Sequence, residues 1–286
     1  MSFQHVHIAS DIAALNQSVI SPDMVSLPIG RGYQFNGVST DAPVHVQAIM
    51  PSFLNQGALL SEFEKCADQN SCDFYMGVGG LMNLSYIATL KPKAALLVDV
   101  NPVQTLFWQQ IFADLKTHKR PKDFLKAARR CEDNLRDVLK TAFDGDVDIA
   151  GTQNVERFIN GQTILNLQQD FPSWLKINLP DRGWFVGAQY DVLHEMAANG
   201  ALGALTLDIA DVSACNELAD FTNSKNLKAD FFHVSNIFDF MRGGVDWVGR
   251  EGSPSLAQIT QQNVRSLLKP ETGRVVGDKD FIHLET

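Results

Sequence analysis

The residues of this chain best placed for chemistry are three glycines and one carboxylate: Gly77, Gly79, Gly80 and Asp99. They fall in residues 74–101, FYMGVGGLMNLSYIATLKPKAALLVDVN, where an apolar run ends in the glycine turn. A helix-length stretch follows, and then a second apolar run ending in Asp99. Glycine lets backbone N–H groups approach a ligand where a Cβ would collide, and the helix N-terminus behind such a turn favours anionic and polar groups. An acid about 20 residues beyond the turn is placed to accept both hydroxyl hydrogens of a ribose; Asp99 stands nineteen positions after Gly80. The pattern points to a nucleoside-cofactor site. A dinucleotide fingerprint would place a third glycine three positions after Gly79, where Met82 stands, so a pyrophosphate site is only weakly supported. That substitution and the lack of a second mononucleotide half disfavour a nicotinamide-dependent oxidoreductase. A tight strand-to-helix turn that binds nothing accounts for the glycines equally well.

Further candidates lie where other apolar runs end. Asn101 precedes Pro102 and either caps a helix that Pro102 opens or contacts a ligand. Asp211 follows LTLDIAD and either meets the adenine side of a nucleoside or caps the helix from Ser213 to Phe221. Phe231 to Ile237 reads as a buried strand whose end offers Ser235, Asn236 and Asp239. Reactive groups collect at such carboxyl ends in open α/β sheets. Asp239 or His233 could take the proton of a hydroxyl or amine acceptor; His233, inside the strand, also reads as a core histidine. His194-Glu195 is not a zincin motif, because Ala198 occupies the place of the second histidine, and His194 reads as a surface or interface residue. Cys66, Cys72, Cys131 and Cys215 form no CxxC pair and read as small buried hydrophobes.

The elements that must hold these residues follow from periodicity. Helices are predicted over residues 8–20, around Leu59 to Cys66, from Pro102 through Leu115, over 188–198, and after Ser253-Pro254. Strands are predicted at Gly203 to Ile209, Phe231 to Ile237 and Gly273 to Gly277, with one more at Phe281 to Leu284. Residues 26–43 read as loop and 44–50 as a short strand or extended arm. Residues 116–140 carry nine basic and four acidic side chains. Their apolar positions keep helical spacing, so the segment is an amphipathic helix with a basic outer face. That face is either solvated or a patch for an anionic substrate or membrane surface. Residues 144–187, rich in Gly, Asp, Asn and Pro with interspersed aromatics, suit a lid or a substrate pocket.

The glycine turn resembles motif I of class I S-adenosylmethionine-dependent methyltransferases, an acid, any residue, then GxGxG. Gly77 and Gly79 match its first two glycines; Leu81 stands at the third and Tyr75 at the acid. SLLKPETGRVVG (266–277) resembles the turn and fifth strand of that sheet, and LTLDIAD (205–211) its third strand. VDVNPVQTLFWQQIFADL (98–115) and HVSNIFDFM (233–241) are similar to segments of S-adenosylmethionine:diacylglycerol 3-amino-3-carboxypropyltransferases. The resemblance implies an α/β fold: a Rossmann-like, mostly parallel sheet flanked by helices, with a helical insertion between the second and third core strands. It implies S-adenosylmethionine as cofactor and methyl transfer as the commoner reaction. Transfer of the 3-amino-3-carboxypropyl group to a small-molecule or lipid-like acceptor is the alternative, and a non-catalytic nucleoside-binding module is another. Residues 1–70 would form a helical and extended N-terminal arm, and 71–286 the cofactor-binding domain with 117–200 inserted as a lid or substrate subdomain. The usual sheet closes with an antiparallel hairpin needing more chain than follows Gly277, so the hairpin is expected either to be lost or to be partly replaced by residues 38–50.

A chain of 286 residues with 45% hydrophobic and 20% charged residues has the composition of a globular protein with a large core. Its net charge of −9 disfavours general nucleic-acid binding. The longest apolar runs fall far below the roughly 18 residues of a spanning helix, and no Lys or Arg precedes Arg31, so a signal peptide's charged start is missing and a cytoplasmic location is expected.

Overall fold

The computed structural model describes residues 5–19, 34–35, 38–39, 56–69, 72–78, 82–99, 102–128, 187–235, 237–238, 256–277, 281–282 and 284. Its centre is a six-stranded sheet built from β1 (Phe74–Val78), β2 (Ala94–Asp99), β3 (Leu202–Thr206), β4 (Phe231–Ser235), β5 (Arg274–Gly277) and β6 (Phe281–Ile282). The spatial order is β3-β2-β1-β4-β5-β6. The first five strands are parallel, and β6 runs antiparallel against β5. The order therefore reverses between β1 and β4, the position beyond whose carboxyl strand ends open α/β sheets bind ligands.

Parallel strands buried on both faces read as continuous apolar runs, and β1, β2 and β3 are buried almost throughout. Tyr75, Ala95, Leu97, Leu202, Ala204 and Phe231 face one helical layer. That layer contains α2 (Gln56–Gln69), α3 (Met82–Leu90), α4 (Pro102–Thr117), α5 (Pro121–Ala128) and α6 (Gly187–Ala198). Phe74, Met76, Leu96, Val98, Leu205 and Phe232 face the opposite layer. It is formed by α1 (Ala9–Val19), α7 (Val212–Ser224) and α8 (Leu256–Leu267). The N-terminal helices are thus part of the two layers. Ile12 of α1 and Ile8 just before it are buried over β3, and Phe63 of α2 packs on Tyr86 and Phe231.

Several boundaries differ from the sequence reading. β3 ends at Thr206, because Asp208 turns back to accept the Ala210 N–H at 2.9 Å. β4 ends at Ser235, and residues 237–238 are already helical. The sheet edge is completed by Phe281–Ile282, while residues 34–35 and 38–39 pair only with each other in a separate two-stranded hairpin. Residues 40–55, including the expected arm at 44–50, lie outside the described residues.

Between β2 and β3 the chain carries α4, α5 and α6, and residues 129–186 of this insertion lie outside the described residues, with the aromatics at 144–185. The basic segment is interrupted between α4 and α5, and Lys116, Lys119, Arg120, Lys122 and Lys126 are exposed. α6 ends with Gly200 in the left-handed region at φ 67°, a conformation glycine adopts without a Cβ penalty. The Ala201 N–H then bonds back to the Met196 carbonyl at 2.9 Å. His194 joins α6 to α4, with its Nδ1 2.7 Å from the Leu115 carbonyl. Cys66, Cys72 and Cys215 are free thiols, the last two buried. Among the described residues no helix is long and apolar enough to cross a membrane.

Candidate functional site

The candidate site is the rim formed by the carboxyl ends of β1, β2 and β4. Val78 of β1 pairs with Val98 of β2, so Asp99 stands one residue beyond that pair, beside Thr206 of β3. Its carbonyl accepts the Leu207 N–H at 2.9 Å, and the residue is half-buried. The Thr206 hydroxyl donates to the Thr105 hydroxyl at 2.9 Å, which ties the end of β3 to the first turn of α4 and fixes the exit of β2 between them.

The start of α3 carries a polar clasp that periodicity did not reveal. Tyr75, fully buried, donates its hydroxyl to Asn83 Oδ1 at 2.7 Å. Asn83 Nδ2 donates to the Val78 carbonyl at 3.1 Å. Burial pushes the Tyr75 phenol well above its ordinary range, and the neighbouring Tyr86 adds to that. A Cβ on Gly77 would collide with Asn83 Oδ1 and lie 2.8 Å from Asn83 Cγ. Gly77 is therefore needed for the Asn83 side chain, a packing reason for the glycine that stands beside the expected one of baring backbone to a ligand. The one cue in the sequence is an asparagine within the otherwise apolar opening of the helix, LMNLSYI.

Asp211 is the N-cap of α7: its Oδ1 accepts from the Ser213 N–H at 2.8 Å and the Ala214 N–H at 3.1 Å. Of its two sequence readings, the cap is the one the geometry displays. The loop it closes is held from the other side by Asn263 of α8, which donates to the Ile209 carbonyl at 3.0 Å. Burial raises the Asp208 carboxyl, the Ala210 N–H partly opposes this, and the Asp211 charge adds to it. Beneath the same loop, burial and these two acids push the Cys215 thiol up to about 12.

His233 pairs in register with Gly77 and Val276, two residues before the end of β4. It is 1% exposed and meets Tyr86 edge-on at 5.3 Å between ring centres. It sits in the packed layer below the strand end, the core position that its second sequence reading gave it. Ser235 ends β4 opposite Gly277, so β4 brings its terminal backbone to the same rim as Asp99. Gly79, Gly80, Asn101, Asn236 and Asp239 lie outside the described residues, as does the side chain of Ser235.

The fit of a nucleoside to this rim rests on Asp99. It is a half-buried carboxylate at the end of β2, beside β1 and one strand from the reversal of strand order, where it can accept hydroxyl hydrogens. Comparison with curated proteins returns no match. One family model matches residues 63–248, from α2 through all of β1 to β4. That span is well over half of the chain, and the chain belongs to the family described as "Domain of unknown function (DUF7790)".

Proposed function

We propose that this protein is an S-adenosylmethionine-dependent transferase on a Rossmann-like fold, with methyl transfer as its principal reaction. The observation that carries the reading is the position of Asp99 beside β1 where the strand order reverses. The antiparallel β6 next to β5 supports the methyltransferase form of such a sheet over an all-parallel dinucleotide form. The long connection between α4 and β3 supports an acceptor-side elaboration.

In this reading Asp99 accepts the ribose hydroxyls, and the turn after Val78, with Gly79 and Gly80, receives the rest of the nucleoside. Asp211 acts through its cap, holding the loop 207–211 as one side of the rim. S-adenosylmethionine supplies a carbon already activated by a sulfonium, so the protein's part is to align the acceptor and exclude water. Proton removal from a hydroxyl or amine acceptor falls to Asp239 in preference to the core residue His233.

A second reading, a nucleoside-binding module without transfer, is favoured by Tyr75 in place of the motif's acid and by Asn83 packed over Gly77. Incubating the purified protein with S-adenosylmethionine and cell extract separates the readings by product. S-adenosylhomocysteine supports methyl transfer, methylthioadenosine supports 3-amino-3-carboxypropyl transfer, and neither product with intact cofactor binding supports the module.

A further inference from the structure

A second opening lies at the other end of the sheet. A cleft of about 1110 Å³ adjoins the amino ends of β4 and β5, with Phe231, Leu268 and Phe281 among its apolar walls. Its charged groups are unevenly matched. The Lys269 ammonium is held between Asp73 at 3.2 Å and Asp230 at 3.0 Å, which neutralise it. The Arg274 guanidinium donates to the Cys66 sulfur at 3.4 Å and lies 5.7 Å over the Phe281 ring. Among the described residues, neither Arg274 nor Arg265, which lines the same cleft, has a carboxylate within ion-pair distance. Glu271, the remaining lining acid, is exposed on the turn and pairs with neither. Two guanidinium groups thus line one cleft with no acidic partner among the described residues.

A guanidinium is a planar fork of donors that matches carboxylate or phosphate oxygens, and the cleft is large enough for a small ligand. We propose that this cleft binds a small amphiphilic anion, a carboxylate or phosphate monoester on an aliphatic or aryl body. Arg274 and Arg265 hold the head, and Phe231, Leu268 and Phe281 cover the body. The site is remote from the Asp99 rim and does not depend on the transferase reading.

Calorimetric titration of the full chain with decanoate, decyl phosphate, decanol and inorganic phosphate tests it. Saturable binding of decanoate or decyl phosphate is expected, the tighter of the two identifying the head group, with decanol and inorganic phosphate at least tenfold weaker. Arg274→Gln should weaken the anion at least tenfold, and saturation should slow alkylation of Cys66 by iodoacetamide several-fold. If Arg274→Gln does not fold, Arg265→Gln takes its place with the same expectation. Decanol binding as tightly as the anions, unchanged affinity in a folded arginine variant, or no saturation below micelle formation would each overturn the proposal. Saturating S-adenosylhomocysteine should leave the anion's affinity unchanged, so loss of either site is read separately.

Discussion

Asn83 fills the space that Gly77 leaves by having no side chain, and from there it holds both the Tyr75 hydroxyl and the Val78 carbonyl. The strand that leads to the glycine turn and the helix that leaves it are thereby locked together at a buried point, next to the rim where Asp99 stands.

The lock can be tested by changing its two sides. Gly77→Ala forces a methyl group into the Asn83 amide and should destabilise the protein by about 1–3 kcal/mol, the usual cost of overpacking. In an Asn83→Ala background the same change should cost clearly less, because the obstructing amide is gone. Asn83→Ala alone leaves the buried Tyr75 hydroxyl without this acceptor, at about 1–3 kcal/mol. Urea denaturation of the three variants measures the coupling; costs that simply add would contradict the shared space.

Asp230 should act as a structural acid at the amino ends of β1 and β4. Its Oδ2 accepts the Asp73 N–H at 2.7 Å and the Phe74 N–H at 3.1 Å, while Oδ1 meets Lys269. Asp230→Ala removes the acceptor of two backbone donors and one ammonium, and a loss of about 2–3 kcal/mol in denaturant stability is expected.

Asp73 gives this corner a pH dependence. The hydrogen bond from Lys93 holds its carboxyl below the usual range, burial opposes this, and Lys269 adds to the lowering. A carboxyl lowered by folding contributes stability that is fully present above its unfolded pKa and is lost as pH falls through the folded value. The stability difference between wild type and Asp73→Asn should therefore be constant near neutrality and shrink below about pH 4. A difference that grew on acidification would contradict the pairing.

Asp114 should show the opposite sign. It is 8% exposed; Oδ1 accepts from Gln110 at 3.2 Å, and Oδ2 has no hydrogen-bond partner among the described residues. Burial raises its pKa, with Gln110 and His118 opposing. The ionised form is thus penalised in the folded state at neutral pH, and that penalty disappears as pH falls through the raised value. Asp114→Asn should raise stability at pH 7 by about 1 kcal/mol, with the gain fading on acidification. A destabilised variant at pH 7 would show that the carboxylate is favourably paired.

The sheet was legible in the sequence to the extent that its information is local. AALLVD and LGALT are apolar runs, and a strand buried on both faces has that form. The DVSA start of α7 shows an acid placed to cap a helix. The strand order was not legible from pattern, since pairing of β1 with β4 joins residues more than 150 positions apart. The roles of Gly77 and Tyr75 escaped for a related reason. A glycine beside a turn has the same letter whether a ligand or an amide lies against it, and only three-dimensional packing separates the two. β6 was legible too: a strand was expected at Phe281 to Leu284, and one stands at Phe281–Ile282.

Calorimetric titration with S-adenosylhomocysteine tests most directly whether Asp99 and the segment after β1 form an adenosine-binding rim. Saturable binding to the wild-type chain is expected, weakened by about 1.5–3 kcal/mol in Asp99→Ala, the cost of losing a charged hydrogen-bond acceptor. Absence of binding to the wild type, or equal affinity in a folded Asp99→Ala variant, would contradict it.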